Sequence, residues 1–169
     1  IVYLFAGYMP AIIDMSEGAL LQAKLSFYQR GSMVVRPAMV PVAVSDGRTV
    51  DAPRLIDVKA HHMAEAFTRV ICYKRFDKRA EKWVNSDCPH RIAETFLARE
   101  GLWRLPVLTG IINAPTLRPD GSILDLPGYD AQTGLLFDPQ DAHFPVLPRD
   151  PDRDMALRAL AYLKDLIST

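Results

Sequence analysis

The chain has 169 residues, and its twenty basic and twenty acidic side chains give a formal net charge of zero. A chain of this length buries about two-thirds of its unfolded surface, so it needs neither a metal nor a disulfide to fold. We predict one domain over residues 1–169, which could also divide into two smaller parts, residues 1–100 and 101–169.

The longest apolar runs are shorter than the roughly 20 residues that a membrane-spanning helix requires, so we expect no membrane partner. No positively charged segment precedes the apolar residues 1–5, so we expect no signal peptide. The two cysteines are most simply reduced thiols. Together these features favour a cytoplasmic protein.

Charge is distributed unevenly along the chain. Residues 59–104 carry ten basic against six acidic side chains, whereas residues 105–169 carry five basic against nine acidic. A basic middle segment is typical of a surface that faces a polyanion. The alternative is an ordinary charged surface exposed to water.

Four helices are predicted, the first of them beginning at Pro10, a residue that suits the first helical turn. Residues 61–71 show the clearest helical spacing of apolar positions. Asp87 and Pro89 signal the start of a third helix, which Gly101 should end. Asp150-Pro151 should cap a final helix, whose apolar stripe is predicted to be Leu157, Leu160, Leu163 and Ile167 or a neighbouring set.

Strands and hairpins are predicted between the helices, after a first strand at residues 2–5. Gly31-Ser32 fits a type II′ turn between two β-prone arms. Pro37 and Pro41 should confine the residues that follow to an edge strand or a loop. Asp46-Gly47 predicts the next hairpin turn, between residues 40–44 and 54–58. A charged turn at residues 77–81 joins two further β-prone segments, residues 72–76 and 82–84.

The segment 105–138 predicts three short strands folded back on one another. Residues 108–113, 122–126 and 135–137 are the β-prone runs. Turns are expected at residues 119–121 and 127–130, because proline presets φ and glycine accepts a positive φ. Helices and hairpins thus mix without regular β-α-β alternation, which predicts an α+β fold rather than a parallel sheet. The order of elements would suit one or two winged-helix-like units.

Known catalytic and metal-binding patterns do not occur in the sequence, so we expect no enzyme activity, no cofactor and no metal. Cys88-Pro-His90 is too closely spaced for a usual zinc site, and the adjacent His61 and His62 point to different sides of a helix. Cys72 should be a small apolar core residue. Cys88 lies at a helix start, a place that favours the thiolate, but no orienting third group accompanies it.

A basic, aromatic β-ribbon is the strongest functional feature. Alternate residues of a strand share a face, so Lys74, Phe76 and Lys78 should lie on one side if the strand extends that far, with Tyr73 and Arg75 on the other. Such a ribbon can contact phosphates and stack on bases. A solvated hairpin that keeps an edge strand soluble is the alternative. The predicted nucleic-acid contacts are Lys74, Arg75, Lys78, Arg79, Lys82, Arg91, Tyr73 and Trp83.

Three parts of the chain carry a resemblance to a known family. They are FYQRGS at residues 27–32 with VVRP at 34–37, RIAETFL at 91–97, and WRLPVLTGIINAPTLRPDGSI at 103–123 with PGYDAQTGLLF at 127–137. Together they resemble a region of prophage and genomic-island replication proteins, similar to the primase–helicase family of phages and plasmids. The resemblance covers most of residues 10–168 and is specific in residues 103–138.

In that family a similar region lies just before an ATPase motor domain. The family's nucleotide-binding motif has no counterpart here, so no catalytic residue can be transferred. The resemblance implies a non-catalytic accessory domain that handles DNA or links primase and helicase parts. Its partners would be DNA and an ATPase or helicase domain, downstream or in trans. A second hypothesis is a protein-interaction module whose final helix docks a neighbouring ATPase domain or a second copy.

Overall fold

The protein has an α+β fold, seen in a computed structural model that describes residues 1–45, 47–146, 148 and 150–167. The helices among these residues are α1 (Met9–Gln22), α2 (Ala60–Val70), α3 (His90–Leu97) and α4 (Arg153–Ile167). The strands are β1 (Val2–Tyr3), β2 (Tyr28–Arg30), β3 (Met33–Ala43), β4 (Thr49–Asp57), β5 (Tyr73–Asp77), β6 (Lys82–Ser86), β7 (Gly110–Ile112), β8 (Thr116–Leu117), β9 (Ile123–Leu124), β10 (Gly128–Asp130) and β11 (Leu135–Phe137).

The chain divides into two compact units, Ile1–Ile111 and Ile112–Thr169, and this boundary lies later than the expected one after residue 100. The expected winged-helix-like units stay a prediction.

Helices α1, α2 and α3 form the core of the first unit. Their buried positions recur every three or four residues, so each helix turns one apolar face inward. Phe67 of α2 meets Phe96 of α3 edge to face, with ring centroids 5.2 Å apart. Trp103 donates its indole N–H to the Phe96 carbonyl at 2.7 Å, which ties the segment after α3 to that helix. Helix α3 ends at Leu97, earlier than the predicted end at Gly101, and residues 98–101 form the turn that follows it.

A three-stranded sheet of order β1-β5-β6 covers this core. Strand β1 runs parallel to β5, with Val2 opposite Tyr73, and β5 runs antiparallel to β6. Val2 is 5% exposed and Tyr73 is fully buried, so their side of the sheet faces the helices. The neighbouring pair, Tyr3 and Lys74, therefore points to the opposite, outer side.

A second sheet of order β2-β3-β4 lies in the same unit. Arg30 pairs with Met33 across a two-residue turn, and Gly31 has a φ of +58° while that of Ser32 is not positive, as the predicted II′ turn requires. Strand β2 pairs with β3 only as far as Val35, so the rest of β3 is paired with β4 alone.

Pro37 and Pro41 therefore lie on a free strand edge and not in a loop. The Val34 carbonyl faces β4, where it accepts from the Val58 N–H at 2.9 Å. Backbone groups of successive strand residues point to opposite sides, and Pro37 and Pro41 are an odd number of residues from Val34. Their backbone nitrogens therefore point away from β4, where an N–H is not needed for pairing. Most of the predicted second arm, residues 54–58, belongs to the longer β4, which ends at Asp57. Asp46 of the predicted turn lies outside the described residues.

The second unit contains more strands than the three predicted ones. Strands β8 and β9 form a separate hairpin around Gly121, whose φ of +82° fits the predicted turn. Residues 127–130 were expected to be a turn, but Gly128–Asp130 is a strand that pairs with β11. Asp130 accounts for the difference, because its carboxylate accepts from Thr133 Oγ1 at 2.7 Å and so holds a turn at residues 131–134. It also accepts from Arg118 Nε at 3.0 Å.

Helix α4 differs from its prediction at its start. Asp152 caps it by accepting from the Met155 N–H at 2.7 Å, so the cap is not Asp150-Pro151. The apolar stripe of this helix is largely exposed to solvent. Its members are 53% (Leu157), 47% (Leu160), 54% (Leu163) and 84% (Ile167) exposed.

Candidate nucleic-acid interface

Strands β5 and β6 form the predicted charged ribbon. Phe76 pairs with Trp83 and Asp77 with Lys82 at its outer end. The Asp77 carboxylate accepts backbone N–H groups from Ala80 and Arg79, and these hydrogen bonds lower the pKa of Asp77. These hydrogen bonds hold together the turn that follows β5. The Lys78 and Arg79 side chains are exposed at the tip of that turn.

The predicted cations are accessible. Arg75, Lys78, Arg79 and Lys82 are exposed, and Lys74 is half-buried on the outer side of the sheet. Arg91 is exposed on the first turn of α3. Within the described part of the chain, none of these six side chains forms an ion pair with a carboxylate. Cations without a protein partner are available to phosphates.

Tyr73 does not belong to this surface. It is fully buried, and its hydroxyl shares a hydrogen bond of 2.7 Å with Ser16 Oγ of α1. Burial also raises the pKa of Tyr73. The residue was predicted as a nucleic-acid contact, but the alternation that separates the two faces turns it toward the helices. Strand β5 also ends at Asp77, so Lys78 lies in the turn and not on the face of Lys74 and Phe76.

Aromatic side chains cover the outer side of the sheet β1-β5-β6. Trp83 is half-buried at the centre of this aromatic face, which consists of Tyr3, Phe5, Phe76 and Trp83. Its indole ring lies 4.9 Å from Tyr3, 5.0 Å from Phe5 and 5.5 Å from Phe76 between centroids. These three contacts are edge-on, with interplanar angles of 81°, 71° and 66°. The outer rings remain open to solvent, with 43% of Tyr3, 51% of Phe5 and 48% of Phe76 exposed.

Tyr3 and Phe5 were not among the predicted site residues. Their two-residue spacing places both on one side of an N-terminal strand, which is a signal available in the sequence. The pairing of β1 with β5 was not available, because it joins residues about 70 positions apart. Phe5 also lines a groove of about 470 Å³ together with Met9 and Arg91, so a cation stands beside the aromatic face.

The structure places both cysteines in surroundings that differ from those expected. Cys72 is exposed and not in the core as expected, and its Sγ lies 3.6 Å from Asn85 Oδ1. Cys88 is buried, and burial raises the pKa of its thiol, so the expected preference for thiolate at this position is wrong. His61 and His90 stack with ring centroids 4.3 Å apart. Among the described residues, no group of three or more metal-ligating side chains comes together.

Comparisons of the chain with protein families, with curated proteins and with solved structures found no match. Across the described residues, none of the helices is both long enough and apolar enough to cross a membrane.

Proposed function

We propose that this chain is a non-catalytic accessory domain of a mobile-element DNA replication protein of the primase–helicase type. In this proposal it contacts DNA through the β5–β6 ribbon. The observation that carries the DNA contact is the set of exposed cations on one ribbon, none paired with a carboxylate in the described structure. The resemblance of residues 103–138 to replication proteins supports the biological setting.

The ribbon's shape supports phosphate contact. Lys78 and Arg79 extend from a turn that Asp77 holds closed, so both cations can reach a phosphate backbone without loss of sheet pairing. Arg91 lies on a different element, where it lines a groove together with Phe5. Binding of this kind depends on counterion release and therefore weakens steeply as salt rises.

A fluorescence anisotropy titration at several salt concentrations tests the proposal. Each lost phosphate contact lowers the slope of log K against log salt by about 0.7 for a single strand or 0.9 for a duplex. The double variant Lys78→Ala, Arg79→Ala should therefore flatten the slope by about 1.4–1.8 units. A matched control is Arg30→Ala, Arg54→Ala, which removes the same charge from exposed positions on β2 and β4.

Two results would contradict the proposal. One is that the wild-type protein fails to bind DNA even at low salt. The other is that the control variant weakens binding as much as the ribbon variant does, since net charge alone would then explain the affinity.

A protein-docking module is the second candidate function, and α4 favours it. The apolar residues Leu157, Leu160 and Leu163 are each about half exposed on this helix. Exposed apolar patches commonly mark interaction sites. In this proposal α4 docks a neighbouring ATPase domain or a second copy. Leu160→Ser should then reduce self-association in sedimentation equilibrium, or reduce binding to the adjoining domain, while DNA affinity stays unchanged. If Leu160→Ser retains both self-association and binding to the adjoining domain, α4 is not the docking surface.

A further inference from the structure

An aromatic face that is open to solvent and bordered by cations combines the two features that single-stranded nucleic acid requires. We infer that the outer face of the sheet β1-β5-β6 is a stacking surface for unpaired bases. This inference rests on the proposed function and narrows its ligand to single-stranded nucleic acid.

The ring geometry supports stacking. Trp83 supports its neighbours through edge contacts, so Tyr3, Phe5 and Phe76 each keep about half of their surface free. A base can stack on such an exposed ring regardless of its identity, since every base presents a π-face. In a duplex those base faces are covered by neighbouring base pairs. The aromatic rings should therefore add affinity for single strands and almost none for duplexes.

The charges around the face fit a phosphate backbone. Lys74 lies on the aromatic side itself, next to Tyr3 in the strand register. Lys78 and Arg79 stand at one end of the ribbon, and Arg91 lines the groove beside Phe5. A second copy of this chain is a poorer occupant, because two such faces brought together would oppose cations with cations. The surface is thus complementary to an anionic ligand that carries flat apolar groups.

Two probes of equal charge separate the bases from the phosphates. One is a 12-nucleotide oligodeoxythymidylate, and the other is an abasic oligodeoxynucleotide of the same length. The thymidylate strand should bind the wild-type protein about tenfold tighter or more, because one stacked base typically contributes a factor of about 5 to 150. Stacking should also quench the fluorescence of Trp83, whereas Trp103 is buried and cannot meet a base.

Phe76→Leu is the principal variant, since leucine keeps apolar contact with Trp83 but has no ring to stack on a base. It should lower affinity for the thymidylate strand about fivefold or more and leave affinity for the abasic strand unchanged. Tyr3→Leu should act in the same way. The matched control is Tyr162→Leu, which removes a tyrosine that is 67% exposed on α4 and should change neither affinity. An unchanged far-ultraviolet circular dichroism spectrum shows that each variant is folded.

The outcomes distinguish this inference from the proposed function. Equal binding of both strands by the wild-type protein, or equal losses for both strands in Phe76→Leu, overturns base stacking and leaves phosphate binding intact. Failure of both strands to bind at low salt overturns both the inference and the proposed function. If Phe76→Leu changes sedimentation from dimer to monomer without changing thymidylate affinity, the face is a protein interface and the inference is wrong.

Discussion

Replacing Glu17 with glutamine should destabilise the first unit, because this carboxylate is buried and fully engaged. Glu17 is 2% exposed on α1. Its two oxygens accept from the Arg104 backbone N–H and, at 3.0 Å, from Arg104 Nε. The same guanidinium donates to the Asp14 carbonyl at 2.8 Å. Glu17 therefore fastens α1 to the segment that follows α3.

The magnitude follows from these contacts. Glutamine keeps one carbonyl oxygen, but its amide N–H₂ would face one of the two donors, so one hydrogen bond to a charged group is lost. Such a bond contributes about 1.5–3 kcal/mol. We take a value near the lower end, about 2 kcal/mol, because the Arg104 side chain is 56% exposed and water screens its charge. For a chain of this size that corresponds to a fall in melting temperature of roughly 4–8 °C.

Thermal unfolding followed by circular dichroism measures the effect, with Glu65→Gln as the control. Glu65 also pairs with an arginine, Arg69, at 2.6 Å, but it is 58% exposed. Its loss should cost less than about 0.5 kcal/mol. Equal melting temperatures for the two variants would refute the reasoning, because burial would then add nothing to the Glu17 contacts.

Two further predictions concern the thiols and the acid response of the second unit. A maleimide should label exposed Cys72 rapidly and buried Cys88 only after unfolding; equal rates under native conditions would contradict the burial. Hydrogen bonds from Gln132 and Ser122 lower the pKa of Asp120 to about 2. Because the folded pKa is below the ordinary value of 3.8, this stabilisation is present above that value and is lost as pH falls toward 2. In NMR spectra recorded as pH falls, Asp120→Asn should reduce the acid-induced change in the amide signals of residues 116–137. An unchanged transition would show that Asp120 does not cause it.

Local patterns predicted much of the fold. The Gly31-Ser32 turn and the helix at residues 61–71 depend on neighbouring residues, and the structure places both where they were expected. The α+β class follows from the same local signals. Turn residues were less decisive at 127–130, where the side-chain contacts of Asp130 come from positions before and after the segment.

Long-range contacts account for the errors at the candidate site. The alternation of side chains along β5 correctly placed Tyr73 and Lys74 on opposite faces of the strand. Which of these faces is turned to the core depends on the pairing of Tyr73 with Val2 and on its contact with α1. Glu17 escaped notice for the same reason, because a carboxylate in a helix is usually solvated and its partner Arg104 lies 87 residues away. The apolar spacing of α4 correctly indicated a helix but could not show whether anything covers it.

A hydrogen-exchange footprint with the bound 12-nucleotide thymidylate strand tests the central claim most directly, because it locates the contact on the chain. We expect protection of residues 73–86 and of the start of α3 near Arg91, with residues 38–54 of the β3–β4 hairpin and helix α4 unchanged. Protection confined to α4 or to that hairpin, or no protection at a saturating concentration of the strand, would contradict it.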